Sequence, residues 1–403
     1  MKKHSVKDLI KYIPEFAAIT VLFAFAVMFM LSYQKEFSEN ENRVLASCPA
    51  PSLDGIFDHS FMDSFEDYIS DQFPLRDDLL SFSVIASRAE GKKEVNGVIY
   101  AKEGPDNIRL IDRYNKPQNA DKFIDAVARL KDGVTSADIT VMVVPTSYWL
   151  YEDEMPKTTL NTERPLQKDT LKYINDGIDN LGASTKVNMV DNIFDRLTDG
   201  RKAGLNIFYR TDHHWTTSGA YMGYLALSPY LMLPERKDLL SNLTCISDSF
   251  YGTTWSKVVD RSVKPDTMDI YDSPEWKDHL TVTYENTGES FNSPYNRDYL
   301  NVKDKYSVFL NNQHSLITIK NENADLTRTD GEEHRALVVI KDSYANSLIP
   351  FLIDHYETIW VFDPRYYRGS ITEWINDHPE VKDVLVLYNL STMDNDRGLG
   401  AIY

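Results

Sequence analysis

Ala336-Leu337-Val338-Val339-Ile340-Lys341-Asp342-Ser343-Tyr344 opens as an unbroken apolar run and closes in a polar turn. So short a run, rich in β-branched residues and stopped by turn formers, reads as a strand buried on both faces. The same reading applies to Ile139–Val144, stopped by Pro145, and to Val187–Val190, Thr358–Phe362 and Val384–Tyr388. Helical patterns separate them at Ala120–Leu130 and Lys168–Leu181, and Thr217–Leu227 resembles a further helix start. Buried strands alternating with helices specify an α/β fold, a mostly parallel sheet with helices on both faces. Val95–Tyr100 reads as a short strand opening this domain. Leu240 to Asp330 breaks the rhythm: it is polar and rich in Ser, Asn, Thr and Tyr. It reads as an insertion with antiparallel strands at Leu280–Tyr284 and Ser307–Leu310, and its Tyr and Trp residues are expected to flank the functional cleft, since loops on a rigid sheet carry specificity.

Toward the N-terminus, Phe16–Leu31 is apolar apart from Thr20 and follows Lys2, Lys3, Lys7 and Lys11. With its flanks, Tyr12–Ser32 approaches the roughly 20 residues that cross a bilayer as a helix. The lysines before it, and Glu36, Glu39 and Glu41 after it, place the N-terminus in the cytoplasm and the bulk of the chain outside. No small-x-small cleavage site follows closely, which favours an uncleaved anchor over a signal peptide. Gln34–Ser60 reads as a stalk. Phe61, Phe65 and Tyr68-Ile69 then recur at helical spacing up to Pro74, and Leu79–Arg88 forms a second helix. The expected organisation is a cytoplasmic tail at 1–11, an anchor at 12–32, a stalk with amphipathic helices at 33–94, and a main domain at 95–403 with its insertion at about 240–330.

The 403 residues carry 61 acidic and 43 basic side chains, a net charge of −18, which argues against nucleic acid as a partner. Cys48 and Cys245 allow at most one disulfide.

Functional groups gather at the carboxyl ends of strands in open α/β sheets, and Ser343 stands just there. About 130 residues upstream lies Tyr209-Arg210-Thr211-Asp212-His213-His214-Trp215-Thr216. A carboxylate that orients an imidazole, which activates a hydroxyl, is the requirement of serine acyl transfer. Asp212 and His214, at i and i+2, share one side of an extended segment, with His213 facing the other way. The continuing Ala345–Leu352 reads as a helix whose start would aid an oxyanion near the Ser343 amide. Plain alternatives remain: Asp342 or Ser343 as a helix cap, and Asp212 and His214 as a structural hydrogen bond. A metal site would need further ligands, and Asp342 and His355 lie in no recognised spacing, so neither a metal nor a cofactor is assigned. Arg365 and Tyr366 in Asp363-Pro364-Arg365-Tyr366, and Asn389, close the next two strands; they suit an oxyanion or substrate site, or equally a turn and a surface ion pair. Trp215 suits sugar stacking or the core.

Thr211-Asp212-His213-His214-Trp215-Thr216 resembles the signature of the DHHW family, bacterial extracytoplasmic proteins related to the SGNH-like alginate O-acetylation proteins. Asn42-Arg43-Val44-Leu45, Asp71-Gln72-Phe73-Pro74-Leu75-Arg76-Asp77, Val95-Asn96-Gly97-Val98-Ile99-Tyr100, Lys341-Asp342-Ser343-Tyr344 and Asp363-Pro364-Arg365-Tyr366-Tyr367 extend the resemblance over nearly the whole chain beyond the anchor. The resemblance implies an SGNH-hydrolase-like domain in permuted order, with Asp212 orienting, His214 as base and Ser343 as nucleophile. Lys341-Asp342-Ser343 takes the place of Gly-Asp-Ser, and Asn389 that of an oxyanion-hole Asn. It also implies a membrane-bound O-acyltransferase as partner and acetyl source. The expected function is therefore an outward-facing O-acetyltransferase acting on a surface or secreted polysaccharide. An acetyl esterase with the same triad, or a non-catalytic carbohydrate-binding scaffold of an export complex, are the alternatives.

Overall fold

The computed structural model describes residues 12–104, 107–114, 119–160, 167–180, 187–396 and 398–403. Lys2, Lys3, Lys7, Lys11 and Leu181 lie outside them. Two units emerge: the described part of Met1–Gly91 with Val258–Arg261, and Lys92–Lys257 with Ser262–Tyr403.

The larger unit is built on a sheet whose strands we number β1 (Asp138–Val144), β2 (Val187–Met189), β3 (Leu280–Tyr284), β4 (Glu289–Phe291), β5 (Leu316–Asn321), β6 (Ala336–Lys341), β7 (Thr358–Phe362) and β8 (Val381–Asn389). Their spatial order is β4-β3-β5-β7-β6-β8-β1-β2. From β7 to β2 the pairing is parallel throughout. Every residue of β6 is buried, as its apolar run requires. In register, Ile340 meets Phe362, Lys341 meets Leu387, and Asn389 meets Val144. The carboxyl ends of four adjacent strands therefore form one edge. Around the sheet lie helices that include Ala120–Gly133, Gln167–Asp179, Ile193–Lys202 and Thr217–Leu227. The α/β class and mostly parallel sheet read from the sequence are the fold the chain adopts.

Three details differ from the reading of the sequence. Residues 240–330 supply β3, β4 and β5, whose antiparallel pairing extends the main sheet outward from β7, so the insertion is partly a continuation of the sheet. Alternate residues of β3 are buried, the pattern of a strand covered on one face, which resembles polar loop when read as composition. Ser307–Leu310 is not a strand: Lys305–Val308 forms a 3-10 turn, and Leu310 adopts φ 55°. The helix after Ser343 lasts only from Ala345 to Leu348 before 3-10 geometry takes over at Ile349–Phe351. Pro350 lacks the N–H that a longer α-helix needs, so little helix dipole points at the serine.

In the smaller unit the helix Ile13–Leu31 has mean hydropathy 2.1 and is long and apolar enough to cross a membrane. Its 19 residues rise about 28 Å, close to the hydrocarbon thickness of roughly 30 Å. Helices Leu53–Phe57, Ser60–Asp71 and Arg76–Ala89 follow.

Back in the larger unit, Thr217–Leu227 is buried on every side, and Gly223 lets it pack on Trp215. A Cβ at Gly223 would stand 2.7 Å from the Trp215 ring and 3.2 Å from Leu348. Gly223→Ala is expected to lower stability by about 1–3 kcal/mol, read as a reduced urea midpoint at constant slope; an unchanged midpoint would contradict this packing.

Candidate active site

The Asp212 segment is a tight reversal between paired residues Phe208 and Trp215, closed by Tyr209 N–H donating to His214 O (3.2 Å) and Thr216 N–H to Ile207 O (2.9 Å). Buried Arg109 donates to the carbonyls of Phe208 (2.8 Å) and Tyr209 (3.3 Å), fixing its entry. The Asp266 carboxylate accepts from Arg210 N–H (2.9 Å), Thr211 N–H (2.8 Å) and Thr211 Oγ1 (2.6 Å). This cradle presents Asp212, 1% exposed.

Four donors satisfy the Asp212 carboxylate. Oδ1 accepts from His214 N–H (2.9 Å) and meets His214 Nδ1 at 2.6 Å. Oδ2 accepts from Thr253 N–H (2.7 Å) and Thr253 Oγ1 (2.9 Å). Gly252 makes the approach possible, since a Cβ there would lie 2.2 Å from Asp212 Cβ and 2.3 Å from Oδ2. A carboxylate can only accept, so His214 Nδ1 carries the proton and Nε2 presents a lone pair. That Nε2 lies 2.7 Å from Ser343 Oγ.

Ser343 reaches this position because Asp342, fully buried, organises the turn after β6. Its oxygens accept from Tyr344 N–H (2.8 Å), Asn389 N–H (2.7 Å) and the Thr392 hydroxyl. Tyr344, not Ser343, occupies the cap position of the following helix, and no side chain caps it. Ser343 Oγ is instead directed at the histidine, and the side chain is half-buried. Lys341 needs no left-handed backbone, being absent from the positive-φ residues; it ends β6 buried, with Nζ 3.4 Å from Asp363.

Burial and the neighbouring His213 charge hold the His214 imidazole down at about 4, against the pull of Asp212. Burial alone would raise Asp212, but His213, His214 and the hydrogen bonds from His214 outweigh it and hold the carboxyl well below its usual range. At neutral pH the pair is thus a carboxylate and a neutral imidazole whose Nε2 is free to take the Ser343 proton. A nucleophile, a base and an orienting acid in this relation can perform acyl transfer.

His213 does not face away. Its ring centroid lies 3.8 Å from that of His214, and Nδ1 meets Thr253 Oγ1 at 2.5 Å. The backbone bends through 210–214, so strand-like alternation does not apply. Trp215 is fully buried, with Nε1 donating to Tyr344 O (3.0 Å) and Ser347 Oγ (2.9 Å), and cannot stack on a sugar. Asn389 is buried too, and its amide donates to Val144 O (3.0 Å) and Pro145 O (3.2 Å). Both amide hydrogens are thereby committed to tying β8 to β1, which removes the side chain as an oxyanion donor. Arg365 is half-buried and holds Asp363 through Nε (2.8 Å) and Nη2 (2.6 Å); its charge is felt at His214 and Asp342. Tyr366 is exposed beside Gln313.

Thr253, Gly252, Asp266 and Tyr306 were not singled out from the sequence. The Tyr306 ring stacks on His214 at 3.8 Å and 8°, and its hydroxyl donates to Ser343 O (3.2 Å). Of the aromatics expected to flank the cleft, Tyr306, Tyr271, Trp276, Tyr284 and Tyr295 all belong to the core, and of these five Tyr306 also stacks on the histidine. Asp212, His213 and His214 hold ligand-type atoms within 4.8 Å of one another. The two further groups weighed as ligands are engaged elsewhere: Asp342 in its turn, and His355 with Tyr224 Oη at 2.9 Å.

A model of the DHHW protein family matches residues 111–362. The chain belongs to the DHHW family. A DHHW protein from Eubacterium siraeum, solved by crystallography, is 24% identical over 76% of this chain and 95% of its own, with a TM-score of 0.63. Bacillus cereus PatB1, solved with a sulfonyl adduct, is 17% identical over 74% of this chain and 97% of its own, with a TM-score of 0.55. The O-acetyltransferase domain of Pseudomonas putida AlgJ aligns more loosely, at 12% identity and a TM-score of 0.41 over 74% of this chain and 93% of its own. Comparison with curated proteins finds no match. The likeness of this DHHW chain to the solved structures is one of fold.

Because the folded His214 pKa is about 4 against an ordinary 6.5, the unfolded chain binds this proton more readily. The stability tied to His214 is therefore complete above about pH 6.5 and is lost as pH falls through about 4. An NMR titration of the histidine Cε1–H signals is expected to show His214, assigned through His214→Gln, with its midpoint near 4; a midpoint near 6.5 would contradict the buried, neutral base.

Proposed function

We propose that this chain is a membrane-anchored, outward-facing O-acetyltransferase that acetylates hydroxyls of a surface or secreted polysaccharide. The observation that carries the proposal is the hydrogen-bonded line Asp212 Oδ1–His214 Nδ1–His214 Nε2–Ser343 Oγ, with steps of 2.6 and 2.7 Å. The resemblance to the alginate O-acetylation proteins supports acetyl as the group transferred, and the apolar N-terminal helix supports the anchor. The acetyl source in this reading is a membrane-bound O-acyltransferase.

In the first half-reaction Ser343 Oγ loses its proton to His214 Nε2 and attacks the acetyl carbonyl. The tetrahedral intermediate collapses as the imidazolium returns that proton to the leaving group, and acetyl-Ser343 remains. A sugar hydroxyl then gives its proton to Nε2, attacks the ester carbonyl, and Ser343 departs carrying the proton. Asp212 holds the imidazole in the one tautomer able to do this and stabilises the transient cation. With the Asn389 amide committed, the oxyanion falls to the Ser343 N–H and to the electrostatic reach of Arg365. Tyr306 covers one face of the imidazole and shields it from water on that side. Ser343 is only half-buried, so water also reaches the acyl-enzyme. Hydrolysis of the same intermediate, an acetyl esterase activity, is the second reading.

The full chain, reconstituted in lipid with a small acetyl ester, tests both. Ser343→Ala and His214→Ala are expected to abolish acyl release to a similar extent, because members of such a unit are not additive. Asp212→Asn should keep the fold and lose about 10³–10⁴-fold through the wrong tautomer. His213→Ala should cost less, being one step removed. Product acetylated on an added glycan favours the transferase, and acetate released at a rate indifferent to glycan favours the esterase. An activated serine oxygen attacks the sulfur of a sulfonyl fluoride, forming a sulfonate ester as fluoride leaves and the base takes the proton, and such a reagent is expected to label Ser343 in the parent but not in His214→Ala. Equal labelling in both would remove His214 as the activating base.

A further inference from the structure

Asp71-Gln72-Phe73-Pro74-Leu75-Arg76-Asp77 has no part in the acyl-transfer chemistry, yet it organises the region next to the apolar helix. The Asp71 carboxylate accepts from both ends of the Arg43 fork (2.8 and 2.5 Å) and from Ala46 N–H (2.8 Å). Gln72 Oε1 accepts from Lys35 N–H (2.9 Å), while its Nε2 donates to Lys35 O (2.8 Å) and Ala46 O (3.1 Å). Gln34 Nε2 donates to Tyr68 Oη at 2.6 Å. The chain leaving Leu31 is thus bound to the end of the helix Ser60–Asp71, rather than trailing as a free stalk.

Aromatic contacts join the apolar helix to Ser60–Asp71 and to the turn that follows it. Phe25 stacks on Phe73 at 5.2 Å, and Phe29 meets Tyr68 edge-on at 5.7 Å. At 1.5 Å per residue, Phe29 and Phe25 lie about 3 and 9 Å inside the end of the apolar helix. Tyr68 shares the shallower level and Phe73 the deeper one, so the two bracket the shallow side of the roughly 5–10 Å at which in-plane amphipathic helices seat their apolar faces.

Helix Ser60–Asp71 has the corresponding amphipathicity. Projected at about 100° per residue, Tyr68, Phe61, Phe65, Ile69 and Met62 follow one another around an arc of about 120°, with Asp63, Asp67 and Ser70 on the opposite side and Glu66 at the edge next to Met62. Tyr68 is buried, Phe61 and Phe65 are half-buried, and Ile69 and Met62 are 37% and 57% exposed. The arc that begins on the apolar helix therefore continues outward uncovered. The short helix before it exposes Ile56 and, at 82%, Phe57.

We infer that Ser60–Asp71 lies in the membrane interface beside the anchor, with Met62 and Ile69 in contact with lipid and Asp63 and Asp67 in water. The inference rests on the reading that Ile13–Leu31 spans the bilayer. Lipid must then cover the rest of the anchor's surface, and the Met62–Ile69 arc is continuous with that surface. The acidic opposite face is repelled by anionic headgroups, so burial of the apolar arc, not charge, supplies the attraction. The consequence is that the smaller unit is held on the bilayer at two places, the anchor and the Met62–Ile69 arc.

Nitroxide labels on the full chain test this. In a Cys48→Ser, Cys245→Ser background, single labels are introduced through Val21→Cys, Met62→Cys, Asp67→Cys or Ile69→Cys, and the protein is reconstituted in phosphatidylcholine vesicles. Collision with oxygen, which partitions into lipid, is compared with collision with a water-soluble nickel chelate. Labels at 21, 62 and 69 are expected to favour oxygen several-fold over the label at 67. A lipid-like signal at 21 with water-like signals at 62 and 69 would overturn the inference and leave the anchor standing. Labels at 62 and 69 shielded from both reagents would also overturn it, protein copies then covering the arc. A water-like signal at 21 would defeat the anchor reading itself, and this inference with it.

Discussion

Asp212 is a carboxylate taken out of water with no lysine or arginine among the described residues in hydrogen-bonding contact, and the site depends on how that charge is satisfied. An unpaired buried charge costs several kcal/mol or more, so every acceptor position has to find a donor. Two donors come from His214 and two from Thr253. Thr253 comes close enough only because residue 252 lacks a side chain. The His214 hydrogen bond in turn selects the tautomer that leaves Nε2 facing Ser343. One electrostatic requirement thus sets the position of a loop 40 residues downstream, the identity of a glycine and the proton inventory of the base.

The same logic operates at Ser343. Asp342 is buried and draws in the backbone of Asn389 and the hydroxyl of Thr392, so the ends of β6 and β8 are locked together where the serine projects. Asn389 then ties β8 to β1 through two carbonyls. Rigid strand ends hold a nucleophile more accurately than a free loop can. On this edge the polar side chains at the carboxyl ends serve first as fasteners, and Ser343 is the one left directed at a base.

The parallel half of the sheet was legible because strands buried on both faces carry apolar runs, as in Val338–Ile340 and Val384–Leu387. β3 was found but taken for part of an insertion, and β5 was not found, because a strand covered on one face alternates and its polar residues resemble loop. Asp212, His214 and Ser343 stood out because their chemistry is specific and their positions suit it. The environment around them did not, since Thr253, Gly252 and Tyr306 are ordinary residue types whose importance arises from contacts across 40 to 90 residues of chain. Asn389 and Trp215 show the reverse case. Their residue types suggested contact with substrate, but burial and spent hydrogen bonds assign them to the framework.

The central claim is that Ser343 carries the acetyl group between donor and acceptor. Mass spectrometry of the chain quenched in acid during turnover of an acetyl ester addresses it most directly. The account predicts one acetyl group, mapped to the peptide containing Ser343, which disappears in Ser343→Ala and is discharged when a competent acceptor is added. Turnover without any acetyl on that peptide, or the same labelling in Ser343→Ala, would contradict it.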